Sequence, residues 1–148
     1  MPLPVLALLA LVLGGAATAL QGPTNARLAV AVGSPVNAAF VSFFVGTIAL
    51  GLLALTLQTR PDAAAMKALP AWAWLGGLYG CLFVVAAAWG VPRFGAALTI
   101  VLMVAGQLAL SLILDHFGAL GVPQQSISPT RVAGVLLVIG GVLLVRRG

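Results

Sequence analysis

Between residues 95 and 116 the sequence is aliphatic except along one row, which holds Thr99, Met103, Gln107, Ser111 and Asp115. A spacing of four places neighbours one turn above each other on a slowly drifting ridge of an α-helix. A helix this apolar belongs in a bilayer, where a polar side chain facing lipid is costly and turns instead toward the protein interior or a watery cavity. The row therefore predicts an inward face. Gln107 falls near the midplane, and Asp115 lies roughly 12 Å nearer one surface at about 1.5 Å per residue.

The rest of the chain agrees. Sixty-two per cent of its residues are hydrophobic and 6 % charged, and the mean hydropathy is +1.20, far from the balance of a soluble domain. Apolar runs of about 20 residues match what a hydrocarbon core of roughly 30 Å requires of a helix. They are continuous and rich in Leu, Ala and Gly, whereas a transmembrane barrel would alternate polar and apolar positions with period two. The expected fold is an all-α integral membrane protein. The net charge of +5 is scattered singly or in pairs, so it is no nucleic-acid footprint. Cys81 is the only cysteine; it sits in an apolar run and reads as an inert packed thiol.

Residues 3–20 resemble a signal peptide, but no Lys or Arg precedes the apolar run, which argues against cleavage. Gly22-Pro23 looks like a stop, yet residues 26–32 stay almost wholly apolar. Proline in a membrane helix more often kinks than ends it, here freeing the carbonyl of Ala19. One helix over 3–32, kinked at Pro23, is therefore expected. It brings Thr18, Gln21 and Asn25 near the bilayer interior as a second polar cluster. Ser34-Pro35 supplies an N-cap and a first-turn proline for a helix over 35–58, which carries Asn37, Ser42, Thr47 and the stripe Phe40, Phe43, Phe44. A polar surface loop with Arg60, Asp62 and Lys67 follows.

Pro70 opens a third helix over 70–90, with Trp72 and Trp74 at the membrane interface. Gly76 and Gly80 give it the small-residue spacing of close helix packing. A short turn through Pro92 leads to the fourth helix, 95–117, capped by Gly118. Ser128-Pro129 then starts a fifth helix, 129–146, on which Gly134, Val138 and Gly141 share a face suited to tight contact within the chain or between two chains. The whole reads as a single five-helix transmembrane domain over 1–148.

Five spans put the termini on opposite sides. With the N-terminus inside, Arg60, Lys67 and Arg131 lie inside, and Arg27, Arg93, Arg146 and Arg147 lie outside. A three-to-four split of the seven basic residues hardly selects an orientation, since topology follows the excess of Lys and Arg in cytoplasmic loops.

These residues resemble a known family, the small five-span branch of the drug/metabolite transporter superfamily. The resemblance covers nearly the whole chain. It rests on Gln21 and Asn25, Ser34-Pro35 with Ser42-Phe43 and Gly46, and Gly76-Gly77 with Gly80. Its most specific part is Gly106-Gln107, then Asp115-His116-Phe117-Gly118 and Arg131 with Gly134 and Gly141. Members look like single genes, paired genes or fused doubles, which implies that two oppositely facing copies make one ten-helix unit. The resemblance implies a bacterial inner-membrane exporter with no cofactor, either a homodimer or paired with an oppositely oriented paralogue. The chain is also similar in size to the four-span small multidrug exporters, but it contains no glutamate, so their first-helix carboxylate is missing.

The leading reading is secondary export of a small organic solute by alternating access in an antiparallel dimer. Gln107, Gln21, Asn25, Thr18, Ser111 and Met103 are the expected solute-binding residues. Glutamine and asparagine can donate and accept, which suits a polar solute, although they also pair across helices as packing contacts. A carboxylate in the last helical turn opposes the helix dipole, so Asp115 should have a cation nearby; Arg131 is the nearest in chain order. Asp115 and Arg131 are expected to form a gate, with His116 modulating it on acidification. A passive channel and a non-transporting membrane subunit are the alternatives. One His, one Cys and two Asp assemble no nucleophile-base pair, metal-ligand cluster or phosphate loop, so neither an enzyme nor a metal site is expected.

Overall fold

The computed structural model describes residues 3–147. Their regular structure is helical throughout. The elements are α1 (Leu3–Val32), α2 (Pro35–Thr56), a short α3 (Ala63–Lys67), a 3-10 segment (Ala71–Leu75) leading into α4 (Gly76–Phe94), α5 (Ala96–Phe117), a 3-10 turn (Ala119–Gly121) and α6 (Pro129–Arg147). Five segments are long and apolar enough to cross a membrane: Val5–Val32, Pro35–Thr56, Ala71–Phe94, Ala96–Phe117 and Pro129–Arg147.

Local chemistry explains most of the boundaries. α1 runs uninterrupted through Pro23, and the Thr24 hydroxyl donates to the carbonyl of Leu20 at 2.8 Å beside the proline. Gly33 then adopts φ +82°, a conformation without steric cost only for glycine. Ser34 caps α2 by accepting from the Asn37 amide at 3.0 Å, and the Asn37 side chain donates back to Val32 O at 2.9 Å. One asparagine thus ties the end of α1 to the start of α2.

Three expected boundaries shift. α2 ends at Thr56 rather than 58, because Gln58 has turned to φ +52°. The third span opens as 3-10 helix and becomes α-helical only at Gly76, a frequent arrangement at helix N-termini. It also passes the expected stop near residue 90 and ends at Phe94, with Pro92 inside it. Losing one backbone bond at a proline is cheaper in a bilayer than unwinding a turn and exposing several polar groups. The break comes at Gly95, φ +78°. The polar loop after α2 contains a helix the sequence did not announce, α3, capped by Asp62 accepting from the amides of Ala64 (2.9 Å) and Ala65 (3.2 Å).

The chain divides into two compact units, one up to Pro92 and one from Arg93 onward. In the first, α1 and α2 pack along each other. Gly22 of α1 lies against α4, where an added Cβ would meet Val91 Cγ2 at 3.3 Å. Gly80 of α4 lies under the ring of Phe43, whose Cζ is 3.0 Å from where a Cβ would sit. In the second, α5 packs on α6. Buried apolar residues are mainly small ones, Ala26, Ala38, Ala39, Ala87 and Ala88 with Val84 and Val142, while most of the leucines are exposed. Lipid tails are as apolar as leucine, so helices in a membrane associate through close approach at small residues.

Candidate functional site

In the first unit a cavity of about 200 Å³ opens between α1 and α2, lined by Gln21, Ser42, Phe43, Gly46, Thr47 and Leu50. Each lining element has a local reason. Gln21 is on the face of α1 that the uninterrupted helix keeps within the span. Ser42, Gly46 and Leu50 are successive turns of one α2 ridge, and Gly46 leaves the wall open, with no atom within 4 Å of its Cβ position. Thr47 donates its hydroxyl to Phe43 O at 2.8 Å, which leaves its oxygen lone pairs facing outward from the ladder. No carboxylate lines the cavity.

Asn25 lies one turn beyond Gln21 and is 2 % exposed. Its amide nitrogen has no hydrogen-bond partner. A buried donor left unsatisfied costs about 1–3 kcal/mol, so this one requires an explanation. Thr18, also expected at the site, spends its hydroxyl on Gly14 O at 2.9 Å. The sequence passed over Ser42 and Thr47 as binding residues; the signal was there, two hydroxyls flanking a glycine in an otherwise apolar run.

In the second unit the expected inward row of α5 is mixed. Thr99 is buried, with its hydroxyl on Gly95 O at 2.7 Å. Met103 is half-buried, and Gln107 and Ser111 are exposed. Ser111 donates to Leu108 O at 3.0 Å.

At the far end of α5, Arg131 and Asp115 form an ion pair, Nη2 to Oδ2. The side chains are 30 % and 29 % exposed. The pair sits within a wider knot. Arg131 Nη1 donates to Gln125 O at 2.9 Å, and the Gln125 amide donates to Asp115 O at 2.7 Å. Gln124 Nε2 donates to His116 O at 3.0 Å, while His116 Nδ1 accepts from the Ile127 amide at 3.3 Å. Ser128 caps α6 by accepting from the Arg131 amide at 3.3 Å. The positive φ of Gly118, +58°, reverses the chain so that the loop folds back over the last turn of α5. Every polar residue from Gln124 to Arg131 that bonds here closes this one end.

Of the four glycines expected to pack helices, Gly80 meets a neighbour. Gly76, Gly134 and Gly141 have nothing within 4 Å of a Cβ position, so their faces are open in the single chain. Cys81 is exposed on α4 rather than packed, because α4 buries the ridge of Val84, Ala87 and Ala88 instead.

Residues 6–144 match the sequence model of the family described as "Putative inner membrane exporter, YdcZ". The chain is similar to the inner membrane protein YdcZ of Escherichia coli (strain K12), 41 % identical over 76 residues. That match spans about half the length of each, 51 % of this chain and 51 % of the relative. No solved structure matches. A match across all five apolar spans, in a fold whose leucines face outward, makes the conclusion plain: this chain is a multi-pass inner-membrane protein and belongs to the YdcZ family.

Proposed function

We propose that the chain exports a small, polar, uncharged organic solute as a secondary transporter, by alternating access in an antiparallel dimer of two five-helix copies. The observation that carries this reading is the unpartnered, buried amide of Asn25, one helical turn from Gln21, which lines a cavity with Ser42 and Thr47. A membrane protein gains from an unsatisfied donor when a solute or a second conformation satisfies it. With no carboxylate in the lining, a cationic solute would enter uncompensated, whereas amides and hydroxyls match a neutral one. The cavity is smaller than whole ligand sites of about 300–1,000 Å³, as expected of one half of a site. In this reading Gln107 is a candidate solute-binding residue on α5, and the Asp115–Arg131 pair is a gate. Inverted copies would supply one gate at each face.

The near-even charge split supports opposed copies, and the open face of Gly134 and Gly141 on α6 offers them a surface for close approach. The single five-helix domain is then half of the working unit.

The test is a thermal-shift screen of the purified protein against neutral polar metabolites, followed by uptake into proteoliposomes. A solute that stabilises the wild type should accumulate saturably and with a gradient. It should lose its effect on Asn25→Leu, which should itself be more stable than the wild type by about 1–3 kcal/mol once the orphan donor is gone. Ohmic current without saturation would make the protein a channel. Reporters fused after Gly148 should signal from both sides of the membrane; a one-sided C-terminus in a lone homodimer rules the antiparallel arrangement out.

A further inference from the structure

The second unit contains a groove that the transport reading does not use. It has a volume of about 560 Å³ and lies between α5 and α6, walled by Phe94, Leu98, Leu102 and Ala105 on one side and by Ile139, Val142, Leu143 and Arg146 on the other. Leu98, Leu102 and Ala105 fall on one face of α5 and Ile139, Val142, Leu143 and Arg146 on one face of α6, at spacings of three and four, while Phe94 closes the end from the last residue of α4. From Leu98 to Ala105 on α5, and from Ile139 to Arg146 on α6, the groove is roughly 10 Å long at about 1.5 Å per residue, about a third of a hydrocarbon core of roughly 30 Å. It therefore fits within one leaflet. Its walls are apolar throughout, and its single charge is at one end.

Among the described residues, neither acidic side chain is available to that charge. The sequence holds two acidic residues. Asp62 is occupied in capping α3, and Asp115 is paired with Arg131 at the opposite end of α5, roughly 30 Å from Phe94. Arg146 lies in the last turn of α6, exposed. An apolar slot within one leaflet, ending at a guanidinium near the membrane surface, is complementary to a lipid with an anionic headgroup.

We propose that the α5–α6 groove binds an anionic phospholipid, with one acyl chain along Leu98, Leu102 and Ile139 and the phosphate on Arg146. The neighbouring Arg147 serves as an internal comparison, since it lines a different surface, with Leu137, Gly140 and Leu144 on another face of α6. Attraction of the whole C-terminus for a charged bilayer would involve both arginines alike; a site in the groove involves Arg146 alone.

The experiment is native mass spectrometry of the full chain in detergent, titrated with phosphatidylglycerol, with zwitterionic phosphatidylcholine of the same acyl chains, and with glycerol phosphate. The wild type should retain phosphatidylglycerol about fivefold more than phosphatidylcholine, the size of one basic contact near a membrane surface, and should not retain glycerol phosphate. Arg146→Gln should remove the preference, Arg147→Gln should keep it, and Ala105→Phe should reduce retention of both lipids by filling the slot. Ala133→Phe, which adds the same bulk outside the groove, separates a blocked slot from a misfolded protein. Equal retention of the two lipids by the wild type overturns the proposal, as does equal loss in the two arginine variants. Retention of glycerol phosphate would reassign Arg146 to a soluble anion, and dimer loss in Ala105→Phe with no lipid preference would give the groove to a second copy of the chain.

Discussion

Arg131 reaches back 16 residues to Asp115 and, with its second guanidinium nitrogen, holds the carbonyl of Gln125 in the loop between them. One side chain thereby fixes the end of α5, the start of α6 and the connection that joins them. Part-exposed ion pairs contribute little by themselves, about 0.2–1 kcal/mol, so the pair matters more for what it positions. Asp115→Arg and Arg131→Asp should each lower transport severalfold while shifting stability by about 1 kcal/mol or less. The double exchange should restore a large part of the activity. Additive losses in the transport assay would mean that the two residues act independently and that no gate exists there.

His116 accepts at Nδ1 from the Ile127 amide, so the ring must be neutral at that nitrogen in this arrangement. His116→Leu should speed hydrogen exchange of the Ile127 amide about tenfold or less, as befits a single net hydrogen bond of about 1 kcal/mol. Asn at the same position can place its carbonyl oxygen where Nδ1 was, and His116→Asn should keep the protection. An Ile127 amide exchanging equally slowly in the wild type and in His116→Leu would show that His116 does not hold the loop.

Gly80 is tight against the Phe43 ring, which also lines the first-unit cavity. Gly80→Ala should push the ring by a few tenths of an ångström and destabilise by about 1–3 kcal/mol, the usual cost of overpacking. Solute affinity should change with it. Gly76→Ala, which has open space around it, should do neither, and comparable losses in the two variants would place Phe43 elsewhere.

Cysteines substituted at Ala26 and Ala29, past Pro23 on α1, should react slowly with a membrane-impermeant maleimide, because Ala26 is buried and Ala29 half-buried in a continuous helix. One at Pro61, outside the spans, should react fast. Equal rates at all three would move Gln21 and Asn25 out of the membrane.

What could be read from the sequence was what local chemistry fixes. Ser34-Pro35, Gly118 and Ser128-Pro129 announced their helix ends correctly because caps depend on one or two residues. The Asp115–Arg131 contact was legible because a carboxylate at a helix C-terminus needs a cation and few were within reach. Pro92 misled, since proline is a poor stop where lipid forbids unwinding. The cavity around Gln21 was only half legible: periodicity marks which residues share a face of α2, but which face meets α1 depends on packing. The orphan state of Asn25 could not be read at all, because it is a property of what surrounds the amide. The faces of Gly134 and Gly141 look identical in sequence whether they meet a helix of the same chain or open space.

The inverted burial of this fold carries a consequence for how its sequence can drift. Ala38 is 0 % exposed and Leu52 is 59 % exposed, the reverse of what size and hydrophobicity dictate in a water-soluble core. Leu52 can exchange with Ile, Val, Met or Phe at little cost, since any of them meets lipid equally well. Ala38 has no such freedom, because an added methylene group must displace the atoms packed around it. In a saturation screen the tolerant positions would be the large greasy ones and the brittle positions the buried alanines and Gly22. A substitution table tuned to soluble proteins would then rank the damage backwards, calling Leu52→Val a core lesion and Ala38→Val a mild change.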